Sequence, residues 1–163
     1  MQLAGAYDGW DEVGENVFRK RFNPYDVSVT AVVGSAGVAV VDTRCSLAEA
    51  REIKDQLRRL TATPIRWVVN THAHFDHCWG NAEFVGPRLT PPARIWGHES
   101  LAARLEFTAP SELVRDRDSI PLGDRTLERS STSGAAMLAF ATTVCSIAIP
   151  VTKSTPIAAR PPV

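Results

Sequence analysis

The run Thr71-His72-Ala73-His74-Phe75-Asp76-His77 places four metal-capable side chains, His72, His74, Asp76 and His77, within six positions. Zinc accepts imidazole nitrogen and carboxylate oxygen, and a catalytic site takes about three protein ligands and keeps a position for water. Residues two apart in extended chain point the same way, so His72 and His74 can converge on one ion. Asp76 and His77, where the chain turns, can then face a second ion nearby. A metal held in this way brings the pKa of bound water toward ~7 and makes hydroxide available against an ester, amide, thioester or phosphodiester. Asp76 can ligate or orient that water, or serve as general base if a single metal binds.

Three of the four histidines of the chain lie in this run. That density sets it apart from solvent-facing loop histidines followed by a helix-capping aspartate. The fourth, His98, stands alone beside Glu99 near an expected helix start and reads as a hydrogen-bonding or capping residue rather than a ligand. Cys78 follows His77, but harder groups beside it serve a metal better, so it reads as a small half-buried thiol. Trp67, Trp79 and Trp96 read as core and rim packing rather than a substrate box.

These residues need a scaffold, and the preceding sequence supplies one. Val13, Val17 to Phe22 and the alternating Val27, Val29, Ala31 and Val33 predict antiparallel strands, separated by turns at Gly14, Asn23-Pro24 and Gly34 to Gly37. Val38 to Val41 is continuously apolar and predicts a strand covered on both faces. Ser46 with Glu49 three residues later forms a capping box, and Leu47, Ala50, Ile53, Leu57 and Leu60 follow on one helical face. The helix ends before Pro64, and Ile65 to Val69 predicts a second buried strand, which makes a right-handed βαβ unit. Ligand sites in open α/β sheets gather beyond the carboxyl ends of such strands, where Asp42 and the His72 cluster both fall. Asp42 can either cap its own turn or hydrogen-bond a ligand histidine. Beyond lie an expected short helix near Trp79 to Phe84, a strand at Arg94 to Trp96, a helix from about Ser100 to Phe107 and a hairpin around Leu122-Gly123-Asp124.

Eighteen basic residues balance eighteen acidic ones, so no net field draws the chain to nucleic acid or an anionic membrane, and a small-molecule substrate is expected. Three cysteines without CxxC spacing predict free thiols. Met1 to Asp11 lacks the basic and apolar regions of a secretory signal, which gives a cytoplasmic expectation. Ala135 to Ile149 falls short of the ~20 apolar residues that span a bilayer.

The stretch Thr71 to His77 resembles the HxHxDH signature of the metallo-β-lactamase superfamily. Val38-Ala39-Val40-Val41-Asp42-Thr43 is similar to the strand ending in aspartate of that family, and a helix and the Val-Val-Asn-Thr-His approach come after it as in the family. Ala93-Arg94-Ile95-Trp96-Gly97-His98-Glu99 resembles the next strand and helix start of many members. The resemblance covers about Val13 to Glu128. It implies an α/β fold, the αββα metallo-β-lactamase sandwich, with His72 and His74 at a first zinc and Asp76 and His77 at a second. It implies hydrolysis of an ester, lactone, thioester or amide-type bond, since members include β-lactamases, glyoxalase-type thioesterases, lactonases, alkylsulfatases and nucleases. A mononuclear iron sulfur dioxygenase also carries this motif, whereas the di-iron flavoproteins have glutamate at the position of His74.

The family completes its site with a later histidine in a Gly-His-Thr-like turn, a bridging aspartate and a last histidine. This chain has no histidine after His98 and no acidic residue after Glu128, where the acidic density of the preceding sequence would give about five. Residues 1–128 are therefore expected to form the N-terminal part of the domain, an incomplete sandwich, and residues 129–163 a divergent tail. An out-of-frame ending is one reading, since codons for Gly134-Ala135-Ala136-Met137 can spell Gly-Arg-Gly-His in another frame. A natural short variant is the other; it would leave an apolar sheet face uncovered and favour a homo-oligomer. A truncated, non-catalytic metal-binding or partner-binding remnant stands beside the hydrolase as the second functional expectation, because a closed ligand shell is needed to orient hydroxide.

Overall fold

Strands that alternate apolar and polar residues must bury one face, and continuous apolar strands must bury both; this chain contains both kinds in one sheet. The computed structural model describes residues 9–98, 101, 111–115, 118–128 and 152–153. β1 (Asp11–Gly14), β2 (Val17–Phe22), β3 (Val27–Gly34) and β4 (Gly37–Val41) form an antiparallel meander. β5 (Ile65–Asn70), β6 (Arg94–His98) and β7 (Glu112–Val114) continue the sheet in parallel with β4, giving seven strands in sequence order. A smaller sheet of β8 (Ser119–Pro121), β9 (Arg125–Glu128) and β10 (Thr152–Lys153) has the order β10-β9-β8.

The period-two geometry of β4 sorts the core. Val38 and Val40 pack with Val29, Ala31, Val68 and Ile95 beneath Ala50, Ile53 and Leu57 of α1 (Leu47–Leu60), while Ala39 packs with Val17 and Val32 against Ile120, Leu122 and Leu127 of the small sheet. All five residues of β4 are buried, as its apolar run requires. The layers are thus helix, sheet, sheet, an α/β arrangement that forms part of an αββα sandwich. Gly34 is needed where the two sheets meet: a Cβ there would lie 2.2 Å from the carbonyl oxygen of Leu122.

α1 starts where the cap residue places it, with Ser46 Oγ accepting from the backbone N–H of Glu49 at 3.2 Å. The reciprocal half of the expected capping box differs. Glu49 Oε2 accepts from Ser46 Oγ and Cys45 Sγ, and Oε1 accepts from Arg44 Nη2 at 2.8 Å. Arg44 has φ +66°, and its guanidinium meets Glu49, Glu52 and the ring of Phe22, so the carboxylate is shared between the cap side chain and an ion pair. The expected helix near Trp79 to Phe84 is also corrected: the chain makes a short α2 (Phe75–Cys78) and then a 3₁₀ turn at Asn81–Glu83. The strand expected at Arg94 to Trp96 runs on to His98, and the short β7 was not foreseen. Of the helix expected from Ser100 to Phe107 only Leu101 lies among the described residues, and of the tail only Thr152–Lys153. Among the described residues no helix is long and apolar enough to cross a membrane.

One buried ion pair ties α1 to the segment after α2. Lys54, 4% exposed, donates to Glu83 Oε1 at 2.6 Å, to the Glu83 carbonyl at 3.3 Å and to the Arg88 carbonyl at 2.8 Å, so all three ammonium protons are used. Burial pushes the Glu83 carboxyl up, but Lys54 and Arg51 outweigh it and hold it below its ordinary range. Lys54→Ala, which leaves the buried carboxylate only the 3.3 Å bonds to the exposed Arg51 guanidinium and Arg88 at 3.6 Å, should destabilise the chain by about 3 kcal/mol, whereas Lys54→Met with Glu83→Leu should recover most of that loss. Equal midpoints for wild type and Lys54→Ala in urea unfolding would refute this. A depressed carboxylate stabilises the fold above its unfolded pKa near ~4.3, and that contribution disappears as pH falls through the folded value. Glu83→Gln should therefore flatten the fall of stability with acidification below about pH 5, read as urea midpoints across pH.

Candidate metal centre

β4 and β5 run in parallel with Val41 beside Val69, so the residues just beyond each strand emerge together at one end of the sheet. The last rung is the Asp42 N–H donating to the Val69 carbonyl at 2.9 Å. There the backbone of Asp42 turns left-handed at φ +66°, a conformation that aspartate tolerates better than most residues. The turn leaves its carboxylate 2% exposed and aimed at the loop after β5.

That carboxylate organises the loop. Asp42 Oδ1 accepts from the Thr71 N–H at 2.9 Å, and Oδ2 accepts from Thr71 Oγ1 at 2.7 Å and faces His77 Nδ1 at 2.7 Å. Of the two roles open to Asp42, the structure shows the bond to a candidate ligand histidine. The tautomers are set by the donors and acceptors present. A carboxylate only accepts, so His77 carries its proton on Nδ1 and turns Nε2 toward Asp76 Oδ2, 3.6 Å away. Thr71 gives its single proton to Asp42 and so must accept from His72 Nδ1 at 2.8 Å, which leaves the lone pair of His72 on Nε2. Burial and the neighbouring His77 lower the pKa of His72. Burial also presses His77 downward, but the hydrogen bond and charge of Asp42, with Asp76, reverse the sign and raise it.

His72 and His74 converge as their spacing predicts, Nε2 to Nδ1 at 3.0 Å. Two ligands of one tetrahedral zinc at ~2.05 Å stand about 3.3 Å apart, so both the His72/His74 pair and the His77/Asp76 pair match the edge of such a site within a few tenths of an ångström. The donor set therefore fits zinc as two pairs. Among the described residues no three such groups are assembled into one metal-holding cluster. His74 is exposed, and its ring meets that of His72 edge-on. Asp76 sits within the first turn of α2 and does not cap it; the cap position is His74.

Cys78 is fully buried rather than half-buried, and its thiol donates to the His74 carbonyl at 3.1 Å. Burial first, then the charges of Asp42 and Asp76, push its pKa up to about 11, which keeps it a thiol and a poor metal ligand at neutral pH. Trp67 and Trp96 are half-buried against the small-sheet cluster, whereas Trp79 is 60% exposed beside Phe75, whose ring in turn meets Tyr25. The side chain of His98 lies outside the described residues. Sequence reasoning did not single out Thr71 as a relay, nor Thr43, Asn70 and Asn81, which are buried behind the loop. Polar residues at the end of an apolar strand and inside an apolar stretch were the available sign.

Residues 22–150 match the metallo-β-lactamase superfamily. No curated protein matches the sequence. Among solved structures, the chain resembles the class B3 di-zinc metallo-β-lactamase from an Alaskan soil metagenome, at 20% identity and TM-score 0.64, over 82% of this chain and 57% of that one. It also resembles the subclass B3 metallo-β-lactamase of Bradyrhizobium japonicum, at 22% identity and TM-score 0.60, over 79% and 53%. A metallo-β-lactamase from Pontibacter korlensis gives 16% identity and TM-score 0.60, over 74% and 58%. The chain spans about half the length of these structures. With its match across residues 22–150 and with this fold, the chain belongs to the metallo-β-lactamase superfamily.

Proposed function

We propose that this chain carries the metal-binding part of a zinc-dependent hydrolase acting on an ester, lactone, thioester or amide-type bond of a small molecule. The observation that carries the reading is the pair of donor pairs, His72 with His74 and His77 with Asp76, in which Asp42 orients His77 directly and His72 through Thr71. Zinc, when bound, supplies Lewis acidity that activates water near neutral pH. His72 and His74 would hold it through imidazole nitrogens. Asp76, part-exposed at the loop, is placed to orient water or accept its proton. Asp42 keeps the tautomers of His72 and His77 fixed throughout, so no ring must rotate before metal binds.

A second reading draws on the pairing itself. Two donors per ion hold a metal loosely, and without a third from elsewhere the chain binds zinc but does not turn over substrate. Metal content separates both from the iron dioxygenase reading, which requires iron and oxygen consumption.

The purified chain should retain about one zinc per protomer or more, and His72→Ala with His74→Ala should remove it, as read by elemental analysis for zinc and iron. Equal metal in both would end the metal reading, and hydrolysis of ester, lactone and thioester probes then separates hydrolase from binder. Asp42→Asn should weaken zinc about 10–100-fold in a competition titration. Its amide N–H faces His77 Nδ1, forcing that nitrogen to accept and placing the proton on Nε2. An unchanged affinity would show that Asp42 does not set the tautomer.

A further inference from the structure

Behind the candidate ligands lies a second polar cluster that the proposed chemistry does not use. The carbonyl oxygen of His77 accepts from the Thr43 N–H at 2.8 Å and from Asn70 Nδ2 at 3.3 Å, with Thr43 Oγ1 3.3 Å away. Asn70 and Asn81 exchange two bonds, Asn81 Nδ2 to Asn70 Oδ1 at 2.7 Å and Asn70 Nδ2 to Asn81 Oδ1 at 3.1 Å. Thr43 Oγ1 donates to Asn81 Oδ1 at 2.9 Å. Asn81 and Thr43 are 0% exposed and Asn70 4%. Only one orientation of the amides serves: rotating Asn70 would set its oxygen against both the His77 carbonyl and Asn81 Oδ1.

The three residues come from three places: the step after β4, the end of β5 and the 3₁₀ turn after α2. Between them is α2, which carries both Asp76 and His77. Four residues are too few to sustain a helix, since nucleation is unfavourable and there is almost no propagation to offset it. Its shape must be imposed from outside. The exit is pressed against the segment after β4, where a Cβ on Gly80 would lie 2.1 Å from the Thr43 carbonyl oxygen, and the Gly80 N–H donates to Arg44 O at 3.1 Å.

We propose that the Asn70–Asn81 amide pair, with Thr43, is a positioning device that acts on the His77/Asp76 pair for its metal ion more directly than on the His72/His74 pair. His72 and His74 are set chiefly by Thr71 and by each other, although the His72 ring lies 4.0 Å from that of His77 and the His74 carbonyl accepts from the His77 N–H at 3.0 Å. The amide pair acts on His77 through its backbone carbonyl, which fixes where the imidazole leaves the chain and so whether Nδ1 reaches Asp42. This inference rests on the two-pair metal reading, but the device itself exists without metal.

Asn81→Asp replaces the donor facing Asn70 Oδ1 with an oxygen while keeping size and shape. In a cobalt(II) titration of the full chain followed by visible absorption, the His77/Asp76 ion should weaken by about 10–100-fold, with the His72/His74 ion little changed. In metal-free protein, the His77 Nδ1 proton held by Asp42 should give a slowly exchanging downfield imidazole resonance, which Asn81→Asp should broaden or remove. Thr43→Val, which deletes one hydroxyl, should act in the same direction more weakly, and it carries the test if Asn81→Asp does not fold. Unchanged affinity and an unchanged proton signal in the folded variants, or an equal loss at both ions, would overturn the proposal. A wild type that binds no cobalt would sink the metal reading, and the metal-free proton signal would then decide the positioning role alone.

Discussion

A carboxylate buried to 2% exposure must be met by donors, and those that meet Asp42 belong to Thr71 and His77. This constraint organises the rest. The loop from Thr71 to His77 has no regular structure before its short helix, so its path is dictated by where it can satisfy Asp42. For that to work, β4 and β5 must lie side by side and end together, which requires the parallel pairing that α1 makes possible by crossing over one face of the sheet. The left-handed turns at Asp42 and Arg44 complete the geometry. For arginine that backbone costs roughly 1–2 kcal/mol, offset by a guanidinium that is bonded to Glu49, Glu52 and the Asn23 carbonyl and lies 4.2 Å from the ring of Phe22.

Two further buried polar groups bracket the helix that carries Asp76 and His77. On one side the Asn70–Asn81 pair holds the His77 carbonyl; on the other the Lys54–Glu83 pair binds the following turn to α1. Apolar residues of similar size would fill the same space at equal or greater stability. What they would not do is define a single register for a segment that is short of apolar anchors, because dispersion contacts tolerate sliding and hydrogen bonds of fixed direction do not. Position, more than stability, is what these groups contribute.

The scaffold was legible where one residue's neighbours decide its fate. Val38 to Val41, Ser46 with Glu49, the helical face of α1 and the apolar Ile65 to Val69 carry their structure in local periodicity, and the alternating strands before them do the same. The convergence of His72 and His74 was legible for the same reason, since spacing two in extended chain is a local property. Legibility failed where partners are brought together by topology. Asn70 and Asn81 meet across eleven positions, Thr43 and Asn81 across 38, and no pattern in the intervening residues announces either contact. The start of α2 was misplaced because four residues are too few to show a helical period. Glu49 is shared between the expected cap and Arg44, whose left-handed backbone is not encoded by its residue type.

The two donor pairs show how this fold divides the work of building a site. Both rest on one βαβ unit, and the groups that aim them, Asp42, Thr71, Asn70 and Asn81, come from β4, β5 and the turns beyond them. Nothing in that aiming requires the small sheet, whose contacts to the large one run through Val17, Val32 and Ala39 on the opposite face from α1. Tautomer and direction are therefore set by one part of the molecule, whereas closing the shell of any metal held there would require donors beyond these pairs. The two properties have different physical origins. Preorganised pairs lower the cost of capturing an ion, since no ring must turn and no amide must flip; a closed shell fixes where the remaining coordination position points, and only that determines whether activated water meets a substrate bond. A chain with the first property and not the second would capture zinc and still be a poor catalyst, so its affinity for metal would report on Asp42 and its partners rather than on hydrolysis.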